Sequence, residues 1–355
     1  MHNFCYVEKL RLHNFRNYSD FELEVGNESV VITGQNGIGK TNILEAISLL
    51  AKSNGMRKAK VNEMQNKFSN IDWAVHYSFF NGEDLNSIGI AKHGSRKLVK
   101  VDGKTHTSLY KISNVIWLVP QMDYILLNSS SDRLKFLDRI TSMFEDDYTY
   151  YYMQYQKAKY QRSRLLRDSV SDESWLNSLE SIMVTSAINI SRMRISVLKI
   201  LQNTIDNHSA ELFPKATLKI KSQLTYNDTP EYYQNLLREN RARDLLTGKV
   251  NFGVHNDNFQ VFCQKRDMPI NLCSTGEQKL LLLSIILSGV KARCIYCKKA
   301  PILLLDDIMS HLDKQHRILL IGEVLGIKCQ TWITDVKQDN FGDYRAKFRF
   351  FDLKN

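Results

Sequence analysis

The residues with the most chemistry in them are Gly34-Gln35-Asn36-Gly37-Ile38-Gly39-Lys40-Thr41. They fill every fixed position of G-x-x-x-x-G-K-[ST], the phosphate-binding loop. Glycines at these positions let successive backbone N–H groups turn inward around a triphosphate. A helix that starts inside the loop adds the positive end of its dipole. Lys40 would reach the β- and γ-phosphates, and the Thr41 hydroxyl would ligate Mg²⁺. The pattern predicts that the chain binds ATP or GTP.

Two further segments carry acids and hydroxyls in patterns that complement this loop. In Pro301-Ile302-Leu303-Leu304-Leu305-Asp306-Asp307, four aliphatics end in two carboxylates. A buried parallel strand that delivers acids at its C-terminal end supplies a nucleotide site with Mg²⁺ coordination and a base. Asp306 is then the Mg²⁺ residue and Asp307 the one that polarises the attacking water. Ser310-His311-Leu312-Asp313 follows at once. Upstream, Cys273-Ser274-Thr275-Gly276-Glu277-Gln278-Lys279 opens a very apolar helical pattern. Ser-x-Gly-Glu at a helix N-terminus offers a second anion its N–H groups and a hydroxyl. The same residues also fit an ordinary capping box from Ser274 to Glu277, and the two readings are compatible. Two anion sites in one chain suggest that one serves the nucleotide of a partner subunit.

The elements that must hold these residues can be read around them. Ser29 to Thr33 is a short β-branched run and Asn42 to Leu50 has helical spacing, so the loop joins strand to helix. Tyr6 to Phe15, Phe21 to Val25, Ile71 to Phe80, Ser87 to Lys92 and Lys97 to Val101 read as strands, with Asn81-Gly82 and Asp102-Gly103 as hairpin turns. Val115 to Val119 is a buried-strand candidate stopped by Pro120. From about Asp132 the character changes: Ser131-Asp132 reads as a helix start, and no Gly or Pro occurs between Asp132 and Ala210. Tyr148 to Tyr160 holds six tyrosines, followed by Arg162, Arg164 and Arg167. After Leu246-Thr247-Gly248, strands are expected at Phe259–Phe262, Ile302–Leu305, Gln330–Thr334 and Ala346–Leu353, and helices at Glu277–Lys291 and Lys314–Leu325. The expected organisation is an α/β head in two parts, 1–125 and 248–355, with a mainly helical lobe, 126–247, inserted between them.

Composition narrows the classes. The chain has 355 residues, 43% hydrophobic and 24% charged, and a net charge of +10. Those are proportions of a globular protein, and the basic balance points to a polyanion such as nucleic acid. Met1 to Cys5 runs straight into apparent strand, with no secretory pattern, and the longest apolar stretch, Leu280 to Val290, is broken by Ser284, Ser288 and Gly289. A cytoplasmic protein without a membrane span is expected. Six cysteines are sparse, and Cys294-Ile295-Tyr296-Cys297 is a lone C-x-x-C without a second pair spaced for zinc.

Phosphate loop, Ser-Thr-Gly-Glu-Gln-Lys, Leu-Leu-Leu-Asp-Asp and Ser-x-Leu-Asp, in this order, resemble the ABC-type ATPase heads of the SMC group. A compact insertion in place of a long coiled coil makes the chain similar to the RecF family of bacterial recombination and gap-repair proteins. Asn14-Phe15-Arg16-Asn17-Tyr18, Arg133 to Asp138 and Phe252-Gly253-Val254-His255-Asn256-Asp257 carry the resemblance across nearly the whole chain, from about Val7 to Leu353. It implies a mixed sheet flanked by helices, an ATP-dependent head-to-tail homodimer, weak DNA-stimulated hydrolysis, and binding of duplex DNA and gap junctions with little sequence preference. It also implies partnership with RecO and RecR in placing RecA. By residue, it implies that Gly34 to Thr41 cradle phosphates, that Asp306 and Asp307 serve Mg²⁺ and hydrolysis, and that Ser274 and Gly276 contact the opposite γ-phosphate. Arg16 lies in the segment that approaches the nucleotide, Asp313 in the loop joining the two sites, and Gln121 in the place of the glutamine that senses Mg²⁺ and γ-phosphate. The chain departs from the pattern at Asn256, where the family usually has arginine, at Ile333-Thr334-Asp335, which lacks the transporters' switch histidine, and at Thr275, where transporters have glycine. Lys52, Arg57, Lys58, Lys60, Arg96, Lys97, Lys100 and Lys104 are candidates for a basic face on DNA. A transporter-type ATPase subunit, an SMC-like protein and a scaffold with structural ATP are the competing readings.

Overall fold

Four short runs whose every side chain is buried make the central sheet: Val30–Thr33, Val115–Leu118, Ile302–Leu305 and Thr331–Asp335. Burial on both faces is what a parallel sheet imposes, and it explains the near-continuous aliphatic sequences. In the computed structural model, which describes residues 3–51, 55–106, 109, 114–168, 172–208, 213–224 and 229–354, these four runs and the edge strand Arg349–Asp352 form one five-stranded sheet. Its order is Arg349–Asp352, Val30–Thr33, Thr331–Asp335, Ile302–Leu305, Val115–Leu118, and every pairing is parallel. All five C-terminal ends therefore share one edge, where open α/β sheets bind ligands.

A second, antiparallel sheet of six strands runs Tyr18–Glu24, Tyr6–Phe15, Ala74–Phe80, Leu85–His93, Arg96–Val101, Lys104–His106. Burial alternates along Ala74–Phe80, with one face in the core and the other at the surface. Asp102-Gly103, both at positive φ (49° and 79°), makes the two-residue turn that asparagine, aspartate and glycine favour. The mixture expected of one sheet is thus divided between a parallel sheet and an antiparallel one. Both belong to a first compact unit, residues 1–123, 210–213 and 283–355.

The second unit comprises residues 124–209 and 214–282. Its helices are Ser130–Phe144, Tyr148–Arg167, Glu173–His208, Pro230–Glu239 and Arg241–Thr247. It also holds a small antiparallel sheet in which Ala216–Lys221 pairs with Asn258–Cys263, and that strand with Met268–Pro269. The expected end of the lobe, at 247, therefore falls inside a unit that runs on to Leu282, because the strand after 247 pairs with one before it. The first helix is capped by Ser129, whose side chain accepts from the Asp132 N–H, rather than starting at Ser131-Asp132. Arg162 and Arg194 are buried in this unit and fully engaged. Arg162 pairs with Glu180 at 2.9 Å and Asp244 at 2.6 Å; Arg194 pairs with Asp138 at 2.7 Å and Asp257 at 2.8 Å. No helix among the described residues is long and apolar enough to cross a membrane.

Candidate nucleotide site

The strand Val30–Thr33 feeds the loop and the helix Lys40–Ser48 leaves it. Gly34, Gly37 and Gly39 all have positive φ, at 145°, 85° and 119°. Gly39 is the helix N-cap, and a Cβ there would meet Asn17 Nδ2 at 2.5 Å and the Tyr18 hydroxyl at 2.7 Å. Only glycine fits this close approach. Asn17 holds the loop from outside: its Nδ2 donates to the Ile38 carbonyl (2.9 Å) and its Oδ1 accepts from Asn42 (2.7 Å). Lys40 is buried, and its ammonium donates to the Gly34 carbonyl (2.5 Å) and the Gln35 carbonyl (2.9 Å). Burial lowers the Lys40 pKa against the opposing pull of Asp307, Asp335 and Asp306.

Asp306 and Asp307 leave the end of Ile302–Leu305 with different fates. Asp306 is buried, and its Oδ1 accepts from the Thr41 hydroxyl (2.9 Å) and from the Thr334 hydroxyl (2.8 Å). Burial raises its pKa, while the two hydroxyls and the charge of Arg57 oppose the rise. Asp307 stands at φ 50°, a left-handed conformation rare outside glycine, and its N–H donates to Thr334 Oγ1 at 2.9 Å. Thr334 thus bridges the two acids from the neighbouring strand. In the sequence it stands out only as part of Ile333-Thr334-Asp335, which lacks the transporters' histidine. Asp335, buried beside it, accepts from the Val336 N–H and both of its carboxylate oxygens accept from Asn340.

Gln121 lies in the turn Pro120–Met122, just past Val115–Leu118, and is exposed at the same edge of the sheet. Arg16, at φ 55°, places its guanidinium on Glu45: Nε donates to Oε2 at 2.8 Å, and Nη2 pairs with Oε1. Glu45, a buried residue of the loop helix itself, also pairs with Arg57 at 3.1 Å. Arg57, expected on a DNA face, is therefore partly committed here. Asp313 caps the helix Lys314–Gly326, accepting from the His316 N–H (2.9 Å) and facing His316 Nδ1 (2.8 Å). Lys58, Lys60, Arg96, Lys100 and Lys104 are exposed, Lys97 is half-buried with a lowered pKa from that burial, and Lys52 lies outside the described residues. Cys294 and Cys297 are free thiols.

In the second unit, Ser274 and Gly276 are exposed at the start of the helix Thr275–Tyr296. The capping box is formed: the Ser274 N–H and hydroxyl both donate to Glu277 Oε2 (3.1 and 3.0 Å), and the Glu277 N–H reaches Ser274 Oγ at 3.4 Å. Arg266 adds an ion pair to Glu277 at 2.9 Å.

The family described as RecF/RecN/SMC N terminal domain matches residues 6–353. A protein of Rickettsia prowazekii named DNA replication and repair protein RecF is 32% identical over 98% of this chain and 99% of its own length. The chain belongs to the RecF family. A protein of the same name from Rickettsia akari is 33% identical, with the same coverage of each chain. Among solved structures, a RecF bound to ATP, described as a recombination mediator protein of the RecFOR pathway, superposes with a TM-score of 0.83 at 24% identity, covering 95% of this chain and 93% of that one. The Smc head domain of Pyrococcus furiosus superposes with a TM-score of 0.58 at 16% identity, over 98% of this chain and 93% of that one. The RecF fold is therefore an ABC-type ATPase head, and RecF membership carries the family's coarse role in DNA replication and repair.

Proposed function

We propose that this chain is an ATP-gated DNA-binding protein of recombinational repair. The observation that carries the reading is the cluster of Thr41, Asp306 and Thr334 beside the loop lysine, in which the Thr41 and Thr334 hydroxyls both donate to Asp306 Oδ1, at 2.9 and 2.8 Å. The Thr41 hydroxyl and the Asp306 carboxylate are hard oxygen donors suited to Mg²⁺, and the buried Asp306 has spare acceptor capacity for a cation. Thr41 and Asp306 would hold Mg²⁺, which when bound neutralises charge between the phosphates.

Within that site Lys40 exchanges its two carbonyl partners for phosphate oxygens. The Gly34–Thr41 backbone and the N-terminus of Lys40–Ser48 orient the triphosphate. Asp307, its backbone held by Thr334, polarises the attacking water, and Gln121 reads Mg²⁺ and γ-phosphate from the end of its strand. Arg16 approaches the nucleotide from the segment braced by Glu45. Ser274 and Gly276 of one subunit close over the ATP of a second copy, with Asp313 in the connecting loop. ATP thus has higher affinity for the closed homodimer, and hydrolysis reopens it. Exposed Lys58, Lys60, Arg96, Lys100 and Lys104 contribute phosphate contacts, so binding is salt-dependent and nearly indifferent to sequence. Duplex DNA at single-strand gaps is the substrate, and RecO- and RecR-type proteins are the partners in loading RecA. The protein acts in the cytoplasm as a weak, DNA-stimulated ATPase.

Fluorescence anisotropy on a gapped duplex, with ATP, with ADP and without nucleotide, tests the reading alongside Lys40→Ala. Tight binding only with ATP, lost in the variant, supports it. Equal binding in every nucleotide state refutes ATP gating.

A further inference from the structure

The tyrosine-rich block and the arginines after it enter neither the nucleotide site nor the basic face described above. The helix Tyr148–Arg167 sorts them onto two sides. Tyr148, Tyr155 and Arg162 are buried in the second unit and Tyr151 and Tyr152 pack against its core, which accounts for five of the nine as packing. Tyr150, Met153, Lys157, Tyr160, Arg164 and Arg167 all point outward. Tyr150 is 59% exposed, Met153 65% and Tyr160 66%. Their spacing of three and four residues puts all six on one stripe, about 26 Å long at the rise of an α-helix.

This stripe is not a seam for a second copy of itself. It has heptad spacing, but Lys157, Arg164 and Arg167 occupy seam positions, and a like-charged partner helix would oppose them. Arg164 has an ion pair with Asp168 at 3.4 Å, but both ends are at least half exposed and such a pair is worth little. The occupant must therefore be anionic and must offer flat apolar faces. Aromatic rings interspersed with cations along a surface suit the stacking of bases and the tracking of the phosphates between them. Rings standing out from a convex helix reach bases that are unpaired, because a duplex closes its base faces by stacking.

We propose that this stripe is a binding strip for single-stranded DNA, with bases on Tyr150 and Tyr160 and phosphates on Lys157, Arg164 and Arg167. It rests on the DNA-binding reading above and deepens it: the strip serves the unpaired strand of a gap. The two rings are ten residues apart, about 15 Å along the helix, which spans two to three extended nucleotides.

The test uses the full chain with ATP, a fluorescein-labelled oligothymidylate and, separately, a blunt duplex of equal length. Tyr150→Ala with Tyr160→Ala should weaken oligothymidylate binding roughly tenfold for each ring. Duplex binding and ATP turnover should stay unchanged. Tyr150→Phe with Tyr160→Phe should bind as wild type, since stacking needs only the ring. Lys157→Ala with Arg167→Ala should lower the salt slope for the oligonucleotide by about 1.4. Undiminished oligothymidylate binding in the alanine pair overturns the strip, and so does an equal loss on the duplex. Intact DNA binding with lost co-elution of RecO- or RecR-type protein reassigns the face to a protein and also overturns it. A wild-type chain that binds the duplex alone defeats only this inference, whereas one that binds no DNA defeats the reading beneath it as well.

Discussion

Gly39→Ala and Gly37→Ala should differ in a way that only the observed packing of the loop explains. Both glycines sit at positive φ, 119° and 85°, so an alanine at either pays conformational strain of about 1–3 kcal/mol. A Cβ on Gly37 would meet nothing within 4 Å, so strain is the whole cost there. A Cβ on Gly39 would lie 2.5 Å from Asn17 Nδ2, 2.9 Å from Asn17 Oδ1 and 2.7 Å from the Tyr18 hydroxyl. Asn17 would have to move, and its bonds to Ile38 and Asn42 would be lost at about 1 kcal/mol each. The sum for Gly39→Ala is about 3–5 kcal/mol, or roughly two to three and a half powers of ten in nucleotide affinity if the strain is relieved only by opening the loop. Gly37→Ala should cost about one to two powers of ten. Binding of a fluorescent ATP analogue, with thermal melting to verify the fold, reads both numbers. On an Asn17→Ala background, where those two bonds are already gone, the step from Gly39 to Ala should shrink by up to about 2 kcal/mol while the step from Gly37 to Ala stays the same. Equal affinities for the two glycine variants, or an unshrunken Gly39→Ala step, would refute the steric argument.

Three further outcomes follow from the same geometry. Asp307→Asn should keep ATP affinity within a few-fold but abolish phosphate release and prolong DNA retention; normal release of DNA would remove Asp307 from hydrolysis. Thr334→Val deletes the hydroxyl that donates to Asp306 and leaves the Asp307 N–H without its acceptor, so Mg²⁺-dependent ATP affinity should fall about tenfold, measured by calorimetry with and without Mg²⁺. His255 is held neutral: its Nε2 faces the Val250 carbonyl at 2.9 Å, which can only accept, so its Nδ1 accepts from the Tyr155 hydroxyl at 2.7 Å. Burial first, and then the Lys159 charge, lower its pKa from 6.5 to about 4. Below pH 6.5 the unfolded chain takes up a proton that the folded one refuses, so this contribution is complete above 6.5 and is lost as pH falls toward 4. Urea melts at pH 7 and 5 should show wild type losing about 2 kcal/mol more than His255→Gln over that interval, with Asp138 and Asp257 common to both proteins.

What the sequence made legible was the part of the fold written in contiguous runs. Ile302–Leu305 and Tyr6–Phe15 have the ends expected of them, because an aliphatic run or a regular alternation bounded by turns leaves few alternatives. The helix start at 129 was ambiguous because Ser129, Ser130 and Ser131 are equally good caps by type, and only the Asp132 N–H chooses among them. The lobe's extent was hidden for a different reason. Ala216–Lys221 reveals itself as sheet only through its register with Asn258–Cys263, a pairing across some forty residues that no local pattern reports.

The candidate site divides along the same line. The loop and the acid pair were legible because each is a short motif whose spacing is itself the chemistry. Thr334, Asn17 and Glu45 were not, because each acts on a residue far along the chain: Thr334 on Asp306, Asn17 on Ile38, Glu45 on Arg16. Their arrangement also changes how the motif is understood. In sequence Asp306 and Asp307 are alike, yet one is buried with two hydroxyl donors and the other is held at φ 50° with its N–H tied to the next strand. A left-handed aspartate persists only where its surroundings over-determine it, and here Thr334 is the restraint. Under the proposed function, the division of labour between metal ligand and base would be built by the backbone turn after the strand. Exchanging the roles of the two acids would require a different turn and not merely a different residue.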